Sequence, residues 1–302
     1  MKKLLKKILP FSILYFLMYI RSYVKRYVMK AKIKSGRPLK NKRSKIKISV
    51  HLAEHCNLNC ASCDHFSPLA EAEFIDPGEL ERDLKRIGEI FSYDCESITL
   101  LGGEPLLHPE IITIMKIARK HFSECTIYVF TNGVILSKKE DAFWQACHDN
   151  NISIIISAYP IKIGIEKIKM LAEKFKVSVN WAWEQETNSR NIFYVQRVNL
   201  KGDSDIKLNF AMCTRGNSCI TLSHGRIFTC TFAPYVHHFN KYFHQNVKIT
   251  EADYVNIYDD VTADEILTKL AEPIPACRYG DTVSPGRAIK WGISKREISE
   301  WT

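Results

Sequence analysis

Three cysteines, Cys56, Cys60 and Cys63, fall within the eight-residue stretch Cys-Asn-Leu-Asn-Cys-Ala-Ser-Cys. Hydrophobic packing alone does not explain three thiols in so short a loop. Three thiolates can ligate three irons of a [4Fe-4S] cube, which leaves the fourth iron without a protein ligand and open to another molecule. Zinc is the competing ion, although structural zinc sites prefer four protein ligands, usually grouped in pairs. Three buried cysteines without any ligand are the remaining alternative. The spacing favours an iron–sulfur loop.

A second motif, Gly102-Gly103-Glu104-Pro105, follows a predicted strand at residues 96–101. Glycine lets a backbone approach a ligand closely, and carbonyls together with a carboxylate suit an ammonium group. Combined with the Cys-x3-Cys-x2-Cys loop, this GGEP turn resembles the radical S-adenosylmethionine (radical SAM) superfamily. The resemblance implies that the methionine part of SAM chelates the open iron and that one electron then cleaves SAM to a 5′-deoxyadenosyl radical. It also implies that SAM's amino group is held by the turn, Gly102, Gly103, Glu104 and Pro105.

The resemblance assigns further cofactor contacts to the ends of two later strands. Asn132, in the turn Thr131-Asn132-Gly133, resembles the third-strand ending that meets SAM or substrate. An ordinary Asn-Gly turn explains the same residue nearly as well. Ser157 resembles a fourth-strand hydroxyl that binds the ribose or the carboxylate of SAM.

The cysteine loop departs from the family pattern at Ser62, where many members place an aromatic residue near the adenine. Phe66 is the candidate substitute. Asp64 and His65 can handle protons near a substrate, but a role in bonding the loop explains them at least as well. No residue is therefore assigned as catalytic.

A second group of cysteines follows, and Cys213-x11-Gly225-x4-Cys230 resembles the start of the auxiliary-cluster domain called SPASM or Twitch. The turn at residues 223–226 predicts a hairpin that presents ligands from both arms. Because Gly280 stands three residues after Cys277, where a further cysteine is expected, a single Twitch-like [4Fe-4S] cluster fits better than two. Four thiolates also satisfy zinc, so zinc remains an alternative. The predicted ligands are Cys213, Cys219, Cys230 and Cys277. The remaining cysteines, expected to be buried small hydrophobic residues, are Cys95, Cys125 and Cys147.

Strands and helices alternate strictly along the middle of the chain, which implies parallel strands with right-handed crossovers. We therefore predict an α/β fold, a partial TIM-like (β/α)6 barrel with a small C-terminal cysteine-bearing auxiliary domain. The cluster would lie at the C-terminal mouth of the barrel, where such folds carry their chemistry. The predicted divisions are an N-terminal segment and linker, the radical SAM core, the auxiliary domain and a C-terminal tail, at residues 1–45, 46–205, 206–280 and 281–302.

The formal charge of +10 is concentrated at the N-terminus, because residues 1–47 contain 16 Lys or Arg and no Asp or Glu. The rest of the chain carries about −6, which argues against general nucleic-acid binding. The apolar run at residues 8–20 is short for a membrane span, which needs about 20 residues. Basic flanks and tyrosines favour peripheral attachment to an anionic membrane. Packing of this helix on the protein itself is the alternative.

These features predict an enzyme of the radical SAM type that abstracts a hydrogen atom from an unidentified peptide, protein or sugar-derived substrate such as a glycan intermediate. The resemblance implies SAM and a reduced flavodoxin or ferredoxin-type donor as partners. Clustered thiols indicate a reducing cytoplasm, so we expect a cytoplasmic protein at the inner face of the membrane. The alternative is a non-enzymatic iron–sulfur electron carrier or assembly protein, although a carrier needs neither an open iron nor a site for SAM's amino group.

Overall fold

The computed structural model describes residues 11–157, 159–182, 192–283 and 288–302. Its centre is a run of parallel strands, each paired with the next along the chain. These strands are β1 (Ile46–His51), β2 (Cys95–Leu101), β3 (Thr126–Thr131), β4 (Ile152–Ile156) and β5 (Val179–Trp181). Two short antiparallel pairs lie outside the main sheet: β6 (Ile192–Tyr194) with β12 (Ala288–Lys290), and β7 (Arg197–Val198) with β11 (Gly280–Asp281).

The sheet continues on the other side of β1 with strands from the later part of the chain, namely β8 (Thr221–Ser223), β9 (Arg226–Phe228) and β10 (Tyr254–Asn256). The full order is β10-β9-β8-β1-β2-β3-β4-β5. Strand β8 runs parallel to β1, whereas β9 and β10 are antiparallel to their neighbours. The sheet is open in this order, in agreement with the predicted partial barrel.

The predicted six strand–helix units need one correction. The described part of the chain contains five parallel strands in succession, β1 to β5. The sixth member of this parallel set is β8, which belongs to the predicted auxiliary region. The sheet therefore extends across the predicted boundary at residue 205. The hydrogen bond from Ser49 N to the carbonyl of Ile220 (2.8 Å) is one of those that join the two regions.

The α-helices of the described residues are α1 (Phe11–Lys34), α2 (Pro77–Ile90), α3 (Ile111–His121), α4 (Asp141–Asp149), α5 (Ile165–Phe175), α6 (Ile206–Met212), α7 (Phe232–Phe243) and α8 (Ala263–Leu270). Short 3-10 turns occupy Ser67–Leu69, Pro105–Leu107, Leu136–Lys138, Glu251–Asp253, Pro275–Tyr279 and Ile298–Glu300. Helices α2 to α5 follow β1 to β4 in turn, as the alternation predicts.

Helix α2 begins where its sequence signals place it. The Asp76 carboxylate accepts a hydrogen bond from Glu79 N (2.7 Å), and Pro77 occupies the first turn, where its missing N–H costs nothing. Leu80, Leu84 and Ile87 are fully buried against the sheet. The capped, amphipathic pattern therefore predicts both the start of the helix and its buried face.

Alternation along β1 separates the core from the site. Ile46, Ile48 and Val50 are fully buried in the main hydrophobic core, whereas Lys47 and Ser49 face a cavity. Successive side chains of a strand point to opposite faces, so one face of the sheet packs on helices and the other is free to hold a ligand. As predicted, Cys95, Cys125 and Cys147 are buried in the main core.

A second hydrophobic core joins the cysteine loop to the C-terminal half of the chain. Phe66 and Leu69, just after the loop, pack with Tyr235 and Phe239 of α7 and with Trp301 near the C-terminus. The loop is therefore fixed by residues that lie more than 160 positions away in the sequence.

Candidate cofactor site at the mouth of the sheet

The three cysteines of the loop line one cavity of about 570 Å³ at the carboxyl ends of the parallel strands. The wall from β1 to β4 includes the polar or aromatic side chains of Ser49, Thr99, Tyr128 and Thr131 and the aliphatic side chain of Ile155. The same cavity is lined by most of the other residues predicted to bind cofactor, Gly102, Gly103, Asn132 and Ser157. A cavity of this size is large enough for a cofactor or small ligand.

The cysteine loop is tightly folded and partly withdrawn from solvent. Asn59 and Ser62 have left-handed backbone angles, with φ of 49° and 56°. The Cys56 sulfur accepts a hydrogen bond from Leu58 N at 3.4 Å. Burial raises the pKa of the Cys56 thiol to about 12 and also raises that of Cys63. A metal that binds here must therefore displace thiol protons.

Three thiolates are the number of protein ligands that a [4Fe-4S] cube with one open iron takes. Among the residues that the structure describes, no three His, Cys, Asp or Glu side chains form a group that could hold a metal ion. Cys56, Cys60 and Cys63 nevertheless share one cavity wall, and the donor set has the thiolate character that iron–sulfur clusters require.

Gly102 and Gly103 bring the end of β2 against the start of the cysteine loop. Gly102 has φ of +152°, and a Cβ atom there would lie 2.5 Å from the carbonyl oxygen of Ala53. A Cβ atom on Gly103 would lie 2.0 Å from the carbonyl oxygen of His55. Gly103 N donates to the Ala53 carbonyl (2.7 Å). The glycines were predicted to allow close approach to a ligand, and the structure adds a close approach between two backbones.

Glu104 is turned away from the cavity. Its carboxylate is buried and accepts hydrogen bonds from Thr131 Oγ1 (2.6 Å), Asn132 N (2.8 Å) and Leu106 N (3.1 Å). Burial raises the pKa of Glu104 to about 7, against the lowering effect of these donors. Pro105 begins the 3-10 turn that follows and is buried as well. The carboxylate predicted to meet SAM's amino group thus secures the end of β3 in this structure.

Asn132 connects that strand end to the cysteine loop. Its Nδ2 donates to Asn57 Oδ1 (2.7 Å) and approaches the Cys56 sulfur at 3.6 Å, while its Oδ1 accepts from Val134 N (2.9 Å). Ser157 is buried at the end of β4, where its backbone N donates to the carbonyl of Thr131 (2.8 Å). Both residues lie on the wall where they were predicted, and a contact with SAM remains a prediction.

Phe66 does not occupy the position suggested for it. Its ring is buried against Phe239 and Trp301, with centroid distances of 5.6 and 6.3 Å, and it does not line the cavity. The left-handed backbone at Phe66, with φ of 57°, turns the chain into the second core. The proposed substitution of Phe66 for the missing aromatic at Ser62 is therefore contradicted.

Asp64 forms an ion pair with Arg215, whose Nε donates to Asp64 Oδ2 at 2.7 Å and whose second nitrogen contacts the same oxygen. Burial would lower the pKa of Arg215, but the nearby Asp64 charge and its hydrogen bonds raise it. Both side chains line the cavity and are mostly buried. This pair supports the loop-bonding role that the sequence allowed for Asp64.

The four cysteines of the predicted auxiliary site are divided between two places. Cys213, Cys230 and Cys277 line one small cavity of about 20 Å³, whereas Cys219 lines the large cavity beside the cysteine loop. The Cys213 sulfur accepts hydrogen bonds from the backbone N–H groups of Arg215 and Gly216, both at 3.4 Å. Three of the four predicted ligands thus line one cavity, whereas Cys219 lines the other, within electrostatic range of Cys213.

The hairpin that carries this region forms as predicted. Ser223 pairs with Arg226, and the two turn residues His224 and Gly225 both have positive φ, 48° and 68°. Such a two-residue turn matches the twist of the strands it joins. In the sequence, Cys219 precedes the first strand of this hairpin and Cys230 follows the second.

A second large cavity, of about 590 Å³, was not indicated by the sequence. It lies between the β8–β9 hairpin and α7, and is lined by His51, Glu54 and Tyr235 among others. His51 stacks on Tyr235 with ring centroids 3.7 Å apart, and Glu54 accepts a hydrogen bond from His238 at 2.8 Å. The donors His238 and His51 lower the pKa of Glu54 despite its burial.

Residues 50–179 match the family model described as the radical SAM superfamily. The chain is 31% identical over 108 residues to a GTP 3′,8-cyclase of Chlorobaculum tepidum, covering 35% of this chain and 32% of the relative. It is 31% identical over 93 residues to an S-adenosylmethionine-dependent nucleotide dehydratase of Flammeovirga pacifica, covering 30% and 31%.

The chain thus spans about a third of the length of each of these two relatives. Among solved structures, BtrN in complex with AdoMet and 2-DOIA aligns over 78% of this chain and 85% of its own, with 12% identity and a TM-score of 0.49. The matched residues 50–179 contain the cysteine loop, the Gly102-Gly103 turn, Asn132 and Ser157. The chain therefore contains, at residues 50–179, a domain of the radical SAM superfamily.

Proposed function

We propose that the chain is a radical SAM enzyme, which reductively cleaves SAM and abstracts a hydrogen atom from a substrate. The observation that carries this proposal is the shared cavity, because Cys56, Cys60 and Cys63 line it together with Gly102 and Gly103. When bound, the cluster and SAM supply the electron transfer and the radical chemistry. The protein has to hold both in one orientation and to exclude water.

The described residues suit those tasks in different ways. The three thiols would ligate the cluster, and the backbone of Gly102 and Gly103 lies beside them for SAM's amino group. Ser157 offers a hydroxyl for the ribose or carboxylate. Asn132 stabilises the loop through Asn57 and can meet the cofactor from the same wall.

The test is production of 5′-deoxyadenosine from SAM by anaerobically reconstituted protein with a strong reductant. Alanine at Cys56, Cys60 or Cys63 should abolish the product, because a cube that loses one of its three ligands is no longer held in the required orientation. Cys147→Ala is the matched control, since this cysteine is fully buried in the core, and it should retain activity. Full activity in any loop variant would refute the assignment.

The non-enzymatic alternative is distinguished by the same assay. An electron carrier would keep an intact cluster and yield no 5′-deoxyadenosine with any of several reductants. The cavity of about 570 Å³ that Gly102 and Gly103 line beside the cysteines favours the enzyme, because a carrier needs no second ligand there. A reduced flavodoxin or ferredoxin is the proposed electron donor, and the substrate is a peptide, a protein or a sugar-derived molecule.

We also propose a second metal site in the auxiliary region, an iron–sulfur cluster with zinc as the alternative. The support is the convergence of Cys213, Cys230 and Cys277 on one small cavity. Burial raises the pKa of Cys230 and Cys277 to about 12, so metal binding again releases protons. Such a cluster would relay electrons to or from the site.

Metal analysis of the reconstituted protein tests this site. Two cubes give about eight irons per chain, four irons each. Cys230→Ala should lower the content toward about four, whereas Cys219→Ala is expected to preserve the second cluster, because Cys219 faces the other cavity. One zinc with about four irons would indicate a structural clamp. Loss of the second cluster in both variants would show that Cys219 is a ligand as well, as the four-cysteine prediction has it.

The N-terminal helix supports a third proposal, peripheral attachment to an anionic membrane from the cytoplasm. Ile13, Phe16, Ile20, Val24 and Tyr27 recur at intervals of three and four residues and are exposed, Phe16 by 60% and Tyr27 by 78%. Residues 1–10 lie outside the described part. No helix among the described residues is long and apolar enough to cross a membrane.

The opposite side of α1 packs on the protein. Helix α1 contacts α6, and Lys25 Nζ donates to the carbonyl of Met212 (3.2 Å). The helix is thus held in place and leaves an apolar, basic-flanked face to the outside. Each lysine near an anionic surface contributes about 1 kcal/mol, and salt screens this term.

Sedimentation with vesicles tests the attachment. Wild-type protein should bind vesicles rich in anionic lipid, bind neutral vesicles less, and dissociate as salt is added. A Phe16→Ser, Tyr27→Ser variant should bind several-fold less with unchanged SAM cleavage. Vesicle binding unaffected by these substitutions would favour a purely structural helix.

A further inference from the structure

The C-terminal strap, residues 291–302, runs along the cysteine loop. Ala61 N donates to the carbonyl of Gly292, and Ser294 N donates to the carbonyl of Asn59, both at 2.8 Å. Cys60 also forms an isolated bridge with Ile293. The strap thus satisfies backbone groups on the loop between the first and last cysteine, where the left-handed angles prevent regular pairing within the loop.

Side chains add two contacts at the other end of the loop. Ser62 Oγ donates to the carbonyl of Glu300 (2.5 Å), and Trp301 Nε1 donates to the carbonyl of Cys63 (2.9 Å). Trp301 is 1% exposed and lies in the second hydrophobic core with Phe66. The strap is therefore anchored by a buried indole whose polar atom reaches the loop backbone.

One contact reaches a predicted cluster ligand directly. Trp291 Nε1 donates to the Cys60 sulfur at 3.2 Å. The indole also lies near Tyr159 of the cavity wall, with ring centroids 6.1 Å apart. A hydrogen bond to a ligating sulfur stabilises the more negative, reduced cluster and so raises its reduction potential.

We infer that the strap is part of the cluster site, with Trp291 as a positioning residue that tunes the reduction potential of the loop cluster through Cys60. Trp301 has a different task, because it binds a carbonyl oxygen and a hydrophobic core and holds the shape of the loop. This inference rests on the proposed function, since it assumes a cluster on Cys56, Cys60 and Cys63.

The experiment compares Trp291→Phe with Trp301→Phe in the full chain. Both substitutions keep an aromatic ring and remove one N–H donor, so they are matched to each other. The reconstituted proteins are titrated with reductant and followed by electron paramagnetic resonance, the loop cluster being identified by the change of its signal on addition of SAM. In the metal-free proteins, the rate at which iodoacetamide labels Cys60 is measured by mass spectrometry.

We expect a more negative midpoint potential in Trp291→Phe and an unchanged one in Trp301→Phe. We expect Cys60 of metal-free Trp301→Phe to react several-fold faster than in wild type, because the loop loses its anchor. Equal potentials in wild type and Trp291→Phe, with the cluster loaded in both, would overturn the tuning role. A Cys60 labelling rate that equals the wild-type rate in both variants would refute the role of the strap in ordering the loop.

Failure of the proposed function gives a different result. Wild-type protein would then hold no cluster that responds to SAM, and the tuning role of Trp291 would be refuted as well. The labelling rates would still show whether the strap orders the loop, since they need no metal.

Discussion

The buried carboxyl group of Glu104 makes a quantitative prediction about stability and pH. Glu104 is 1% exposed, and burial raises its pKa from 4.5 to about 7. A shift of this size corresponds to roughly 3 kcal/mol between the two protonation states. Because the folded pKa lies above the unfolded one, the contribution to stability is fully present below pH 4.5 and is lost as the pH rises through 7.

The substitution Glu104→Gln removes this titration. An amide has only one acceptor oxygen, so either Asn132 N or the pair Leu106 N and Thr131 Oγ1 meets an NH2 group. A backbone donor left unpaired in a buried site costs about 1–3 kcal/mol. The variant should therefore be less stable than wild type near pH 4.5. Above pH 7 the difference should shrink by roughly 3 kcal/mol and can change sign.

Urea unfolding of reduced, metal-free protein from pH 4.5 to 8, followed by tryptophan fluorescence, measures this difference. Glu166→Gln is the control, because its side chain is 90% exposed on α5, and its curve should parallel that of wild type. A difference between Glu104→Gln and wild type that is constant over this range would refute the reasoning, since a buried carboxyl with a raised pKa must show linkage.

Two further predictions concern the supports of the cysteine loop. Gly103→Ala should prevent cluster loading and strongly destabilise the fold, because its Cβ would lie 2.0 Å from the His55 carbonyl oxygen. Gly292→Ala is the control and should load iron normally, since a Cβ there meets no atom within 4 Å. Equal iron contents in the two variants would contradict this prediction. Asp64→Ala removes the carboxylate to which the mostly buried Arg215 donates, and should lower the free energy of unfolding by about 2 kcal/mol. Removal of the exposed Glu71 carboxylate, which pairs with Lys241, should have a much smaller effect on the free energy of unfolding. Comparable losses in the two chemical denaturation curves would show that burial does not strengthen the Asp64–Arg215 pair.

Local signals in the sequence predicted the elements that depend on nearby residues. The Asp76-Pro77 cap gave the start of α2, and the His224-Gly225 turn gave the hairpin, because capping and turn geometry are settled within four residues. Strict strand–helix alternation gave the parallel sheet. The placement of Gly102, Gly103, Asn132 and Ser157 on one cavity wall followed from the same topology, since carboxyl ends of parallel strands meet at one edge.

Contacts between distant segments could not be predicted in this way. The pairing of β8 with β1 joins Val50 to Leu222, and no local pattern specifies such a partner. The apolar ring of Phe66 could have packed either on an adenine or in a hydrophobic core. The left-handed backbone at Phe66 directs it into the second hydrophobic core. Cys219 was predicted as a ligand of the auxiliary cluster, yet it lines the other cavity.

The supports of the cysteine loop come from three parts of the chain. The Gly102-Gly103 turn packs on its start, Arg215 binds Asp64 just after its last cysteine, and the strap lies along its middle. A cube needs its thiolates in a fixed arrangement, so a folded site requires all three supports at once. Metal binding and folding are then linked, and loading should stabilise the whole chain rather than the loop alone. A fragment limited to residues 46–205 would lack both Arg215 and the strap, and it should bind iron more weakly than the full chain although it carries every loop cysteine.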